Sequence, residues 1–118
     1  MRSITHVLAL TLTLALGACA GGQNAATPSS EVAANTVIID VRSQQEWDAG
    51  HIEQATLIPH SEIAARIAEV APDKSQPIAL YCRSGGRAGK AKAELEAMGY
   101  TNVQNWGGLE QARAKLGQ

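Results

Sequence analysis

The sequence predicts a small α/β fold: one parallel β-sheet of four to five strands with helices on both faces. Three observations predict it. From residue 36 onward, short β-branched or aliphatic runs alternate with segments of helical periodicity. Hydrophobic residues make up 45% of the chain but aromatics only 3%, with no Phe, so the core must be built from Ile, Leu, Val and Ala in closely packed layers. Finally, 118 residues suffice for one compact domain with short accessories and not for two.

The elements follow in order. Val37, Ile38 and Ile39 form the first strand. Ser43 and Glu46 have the spacing of a capping box, which opens a short helix that Gly50 stops. Residues 56–58 are the second strand. A second helix starts at Ser61; Ile63, Ile67 and Val70 recur at i, i+4 and i+7 as one buried stripe, and Pro72 ends it. Residues 78–81 are the third strand. A third helix starts near Ala88, buries Ala88, Ala91, Leu95 and Met98, and closes at Gly99. A fourth strand over residues 101–104 and a fourth helix over 109–116, after Gly107 and Gly108, complete the pattern. There is no internal repeat and no heptad run.

Charge and cysteine usage exclude several classes. Ten Lys and Arg stand against 11 Asp and Glu, for a net charge of −1, so no basic footprint for nucleic acid is present. The two cysteines, Cys19 and Cys82, are too few for a disulfide scaffold or a four-ligand zinc site.

The first part of the chain is an address. Arg2 precedes ten residues, 7–16, that are apolar except for threonine, and Gly17, Ala18, Gly21 and Gly22 close the run. A membrane-spanning helix needs about 20 apolar residues. A shorter run closed by small residues is an export signal. Leu16, Gly17, Ala18 and Cys19 resemble the lipobox of bacterial lipoproteins, which implies a signal peptide over 1–18 and lipid on Cys19. Ala20 resembles the residue that follows the cysteine in the outer-membrane-sorted class. The alternative is cleavage after Ala20, which leaves a soluble periplasmic protein. Residues 19–35, rich in Gly, Ala, Ser, Thr, Gln and Asn, read as a tether reaching about 20 Å, with residues 36–118 as the folded domain. Membrane contact is expected through the N-terminal lipid only.

Chemistry concentrates at Cys82. It follows the third strand directly, and Arg83, Ser84, Gly85, Gly86 and Arg87 lead into the third helix. Ligands of open α/β sheets bind outside the carboxyl ends of strands. Gly85 and Gly86 admit backbone conformations closed to other residues, so successive N–H groups can turn inward as an anion nest around the sulfur. The helix start, Arg83 and Arg87 add positive potential, which pushes the thiol toward thiolate. Such a nucleophile suits an anionic substrate, either for sulfur transfer through a cysteine persulfide or for phosphoryl transfer through a cysteinyl phosphate. The phosphatase loop resembles C-x5-R, whereas only four residues separate Cys82 from Arg87 here, a ring too tight for a tetrahedral oxyanion.

The residues from about 36 to 116 resemble a single-domain rhodanese. Three anchors carry the resemblance. Ile39, Asp40, Val41 and Arg42, followed by Glu46 and Trp47, Gly50, His51 and Ile52, Ala55, and Ile58 and Pro59, match the first. The loop from Cys82 to Arg87 is similar to the family's C-R-x-G-x-R form, and Gly99, Tyr100, Asn102, Val103, Gly107 and Gly108 to its ending. Size and layout are closest to the small exported members of the phage-shock-protein-E type. Trp47 stands where the family usually has Phe or Tyr, and Ala55 where it has Gly; both read as packing substitutions. The resemblance implies a rhodanese-like fold and a thiosulfate sulfurtransferase. Cys82 takes sulfur from thiosulfate as a persulfide and passes it to cyanide or a thiol acceptor, with no metal or organic cofactor. Two rivals remain open: a sulfur or redox carrier that turns over poorly alone, and a small cysteine-dependent phosphatase or arsenate reductase.

Around the loop, Arg83 is expected at the pocket mouth, guiding anions. Arg87 either serves the anion or pairs with Asp40 or another carboxylate to brace the loop. Asp40 and Arg42 read as scaffold, His51 as a structural turn residue, and His60 as a solvated turn residue. Trp47 and Trp106 read as core or rim aromatics.

Overall fold

The computed structural model describes residues 34–118. The expected signal peptide over 1–18, the lipid site Cys19 and nearly all of the tether lie outside the described residues. The tether's last two residues already form a turn, and the carbonyl of Asn35 accepts a hydrogen bond from Gln76 Nε2, so the folded part begins before residue 36.

Four strands, β1 (Val37–Asp40), β2 (Thr56–Leu57), β3 (Ile78–Cys82) and β4 (Val103–Gly108), form one parallel sheet in the order β2-β1-β3-β4. Helices α1 (Gln44–Ala49), α2 (Ile63–Val70), α3 (Gly86–Ala97) and α4 (Leu109–Lys115) connect or follow them. Parallel sheets require cover on both faces, and the innermost strand shows it: all five residues of β3 are buried. Leu80 and Cys82 face α2 and α3, in a layer with Ile39, Ile63, Ile67, Ala91 and Leu95. Ala79 and Tyr81 face the opposite side, with Ile38, Trp106 and Ala112 of α4. Each large aliphatic side chain buried this way contributes about 1.5–3 kcal/mol relative to exposure. The small stripe Ala88 and Ala91 lets α3 lie close to the sheet, and that closeness brings its first turn near Cys82.

Several boundaries differ from expectation. The second helix opens with a 3₁₀ turn, His60–Glu62, before α2, and His60 is half-buried there. Strand β3 includes Cys82, which pairs in register with Gly108. Helix α3 starts at Gly86, so Gly86 and Arg87 form its first turn and are not loop. Strand β4 runs on to Gly108, four residues past its expected end. Leu80 pairs with Asn105 and Cys82 with Gly108, so β4 carries one extra residue there, a bulge in which Gly107 sits at φ 81°. The carboxyl ends of β1, β3 and β4 therefore meet at one edge, with Asp40, Cys82 and Gly108 in neighbouring rows.

Candidate active site

Cys82 lies at the floor of that edge, 1% exposed. Gly85 N–H donates to its sulfur at 2.9 Å. Burial pushes the Cys82 thiol up, but main-chain N–H groups of Ala88, Ser84, Gly85 and Arg87 converge on the sulfur and together hold it below its usual value. The sequence leads one to expect an amide nest with added charge from the helix start and the two arginines; the leading lowering contributions are the main-chain amides. Of the two glycines expected to shape the nest, only Gly85 has a positive φ, 96°. Gly86 is helical, and a Cβ there would meet nothing within 4 Å, so neither conformation nor space demands glycine at that position.

The two arginines divide. Arg87 donates from Nη1 and Nη2 to the two carboxylate oxygens of Glu46, at 2.7 and 2.8 Å. Asp40 is not its partner, because Arg42 already occupies that carboxylate: Arg42 Nε donates at 2.9 and 3.0 Å and Nη2 at 2.7 Å. Arg42 Nη2 also donates to the Gly50 carbonyl at 2.6 Å, tying the end of α1 to β1. Asp40 and Arg42 are thus scaffold, as the sequence indicated. Glu46 works twice. It completes the capping box of α1, accepting from Ser43 N–H, while its pair with Arg87 spans to α3. The Arg87 guanidinium, followed by the Ser43 N–H, holds the Glu46 carboxyl well below the usual carboxylate range. Arg83 and Ser84 are exposed, and the Arg83 side chain makes no hydrogen bond or ion pair among the described residues.

Strand β4 backs the loop. Asn105 donates from Nδ2 to the Gly85 carbonyl at 3.0 Å and accepts from Gly107 N–H at 2.9 Å. A Cβ on Gly108 would stand 2.5 Å from the Arg83 carbonyl oxygen and 2.6 Å from Gln111 Oε1, so only glycine fits where β4 meets the loop. His51 lies against Trp47 with ring centroids 3.6 Å apart, and its Nδ1 donates to the Trp47 carbonyl at 2.9 Å, closing α1. Trp47 is half-buried at this helix end and Trp106 is buried in the sheet layer that α4 covers. Neither His51 nor His60 bonds to Cys82. Among the described residues there is no group of three or more His, Cys, Asp or Glu placed to hold a metal ion, and no helix long and apolar enough to cross a membrane.

Sequence reasoning missed two contributors. The sequence marks Glu46 as part of a capping box and of the first rhodanese anchor but not as the partner of Arg87, and it gives Asn105 no role. The charge of Arg87, which calls for a carboxylate, is the available signal for the first; the second has none, because Asn105 lies one residue past the expected end of the fourth strand.

Comparison with known proteins bears on the fold that holds these residues. The profile of the rhodanese-like domain matches residues 25–115. The thiosulfate sulfurtransferase PspE of Escherichia coli (strain K12) is 43% identical over 72 residues, covering 61% of this chain and 69% of that protein. A solved rhodanese with anions from E. coli superposes with a TM-score of 0.63 at 41% identity, over 64% of this chain and 89% of that one. The human single-domain sulfurtransferase TSTD1 superposes with a TM-score of 0.57 at 28% identity, over 69% of this chain and 83% of that one.

Proposed function

The chain belongs to the rhodanese-like domain family, and from that premise we propose that it is a thiosulfate sulfurtransferase that carries sulfur on Cys82. The observation that carries this reading is the convergence of the Ser84, Gly85, Arg87 and Ala88 N–H groups on one buried sulfur. Thiolate at that point attacks the outer sulfur of thiosulfate. The sulfur–sulfur bond of the donor breaks, sulfite leaves with the electron pair, and Cys82 becomes a persulfide. Cyanide or an acceptor thiolate then attacks the terminal sulfur and restores the thiolate. The amide ring stabilises negative charge on the sulfur before and after transfer without moving. Arg83, exposed and unpaired, supplies the positive charge that draws in a dianion.

The same geometry disfavours phosphoryl transfer. A phosphatase loop needs its arginine for the substrate's oxygens, and here both terminal nitrogens of Arg87 are committed to Glu46. The test is intact-mass measurement after brief incubation with thiosulfate, followed by assay of sulfite release with cyanide present. A gain of one sulfur atom that reductant removes is the expected result. No mass gain, or a gain that persists in Cys82→Ser, would overturn the assignment. Sulfur loading without steady-state sulfite release would favour a carrier that needs a protein acceptor.

For location, the proposal is that residues 1–18 direct export and Cys19 takes lipid, which holds the domain on the periplasmic side of the outer membrane. The mass of the mature N-terminal peptide decides it: an unmodified terminus at Gly21 excludes the lipid and leaves a soluble periplasmic protein.

A further inference from the structure

We infer that Asn105 is a positioning residue for the sulfur loop: its side-chain amide, held between the Gly85 carbonyl and the Gly107 N–H, keeps Gly85 in the backbone conformation that aims its N–H at Cys82. The inference rests on the proposed chemistry at Cys82 and extends it to a strand with no reactive group. Gly85 sits at φ 96°, a conformation open to glycine but in no way forced on it, because glycine populates several basins with similar ease. Something outside the residue must select this one. Within the loop, Gly85 N–H is spent on the sulfur and its carbonyl accepts the first helical bond, from Gly89 N–H at 2.8 Å. The helical bond fixes the carbonyl end of the residue only loosely, since it lies at a fraying helix start.

Asn105 adds the missing constraint from a different element. Its Nδ2 donates to the same carbonyl from the side, and its Oδ1 is itself held by Gly107 N–H. Both ends of the amide are thereby engaged, which fixes its orientation and makes it a rigid strut. The strut works because the two backbones are close: a Cβ on Gly85 would lie 3.3 Å from the Gly107 Cα and 3.7 Å from Asn105 Oδ1. The bulge in β4 creates this seat, because it turns the strand toward the loop one residue after Asn105. The Gly85 N–H lies in the peptide before its Cα and the gripped carbonyl in the peptide after it, so a change of Gly85 φ or ψ that freed the carbonyl from the strut would swing the two planes apart and turn the N–H away from the sulfur.

The test compares Asn105→Ala with Gln104→Ala, a neighbour on the same strand whose side chain accepts a bond from Trp106 Nε1 and does not reach the loop. The readout is the pH midpoint of Cys82 alkylation by iodoacetamide, which requires no sulfur transfer. The midpoint is more informative than the rate at one pH, because intrinsic nucleophilicity rises as the thiolate fraction falls. Losing one amide from a charged sulfur is expected to raise the midpoint by about one unit in Asn105→Ala and to leave Gln104→Ala at the wild-type value. Asn105→Asp supplies a second variant: it keeps the acceptor for Gly107 N–H, sets a repelling anionic oxygen against the Gly85 carbonyl and adds negative charge beside the loop, so its midpoint should rise further than that of Asn105→Ala. A wild-type midpoint retained in both Asn105 variants would overturn the inference and leave the sulfurtransferase assignment standing. A wild-type midpoint at the ordinary thiol value of about 8.5 would overturn both.

Discussion

On one flank of the sulfur loop Arg83 and Ser84 stand exposed, and the Arg83 guanidinium has no partner among the described residues. On the other flank Gly85 and Arg87 are each held by a different element. Asn105 of β4 grips the Gly85 carbonyl, and Glu46 of α1 takes both terminal nitrogens of Arg87. Two arginines on one short segment therefore do unlike work. A side chain locked in a two-point ion pair has given up its donors and serves shape; one left free in water keeps its donors and its field for an incoming anion. The held flank sets where the amides point, and the free flank sets which molecules approach them.

The floor between the flanks should respond most. Cys82→Ser is expected to lower sulfur transfer by more than about a thousandfold, to background, while thermal unfolding changes by no more than about 1 kcal/mol. Retained transfer would show that neither flank surrounds the reacting atom. Next comes the held flank. In Gly108→Ala the new Cβ meets the Arg83 carbonyl, which is backbone and must shift. The expected cost is about 1–3 kcal/mol in urea unfolding. Displacing the amides by a fraction of an ångström should cost more in rate than in stability, about a hundredfold in kcat/KM. Wild-type kcat/KM in a Gly108→Ala chain that has lost stability would make the loop amides no more sensitive than the rest of the core.

How far the sequence already spoke of this arrangement depends on the range of the contact. The alternation of runs and stripes is enough for the sheet and for the helical layer that α2 and α3 form on one face, because burial on those helices repeats within a few residues: Ile63 and Ile67 on one, Ala88, Ala91 and Leu95 on the other. Cys82 was also legible, since a strand, a glycine and a helix start are consecutive in the chain. The full length of β4 was not, because its bulge is written in two glycines that read equally well as a helix-preceding turn. Nor were the loop's outer supports. Glu46 is 41 residues from Arg87, and Asn105 is 20 from Gly85, separations that no local periodicity encodes. The capping box accounts for Glu46 locally, yet it leaves Oε1 and a further lone pair on Oε2 available to Arg87.

The free flank should show a milder and different effect. Arg83→Ala removes an exposed charge with no structural partner, so unfolding should be unchanged within about 0.5 kcal/mol. The apparent KM for thiosulfate should rise about tenfold at low salt with kcat preserved, and the gap should narrow as ionic strength increases. A loss in kcat with KM intact would assign Arg83 to the held flank after all.

The smallest effect separates charge from shape on the held flank. Glu46→Gln keeps the size of the side chain but removes its charge, weakening both the pair with Arg87 and the cap on α1; about 1 kcal/mol is expected at neutral pH. The pH dependence carries a definite sign. The folded carboxyl titrates below the unfolded one, so its stabilisation is complete above the unfolded value near 4.5 and disappears as pH falls through the folded value. Wild type and variant should therefore differ most above pH 5 in urea unfolding and converge in strong acid. A constant difference across that range would mean that Glu46 acts through packing. Sulfur transfer in the same variant completes the comparison: if it stays at the wild-type level, β4 alone holds the amides in place, and the pair with Arg87 serves only to keep that arginine off the substrate.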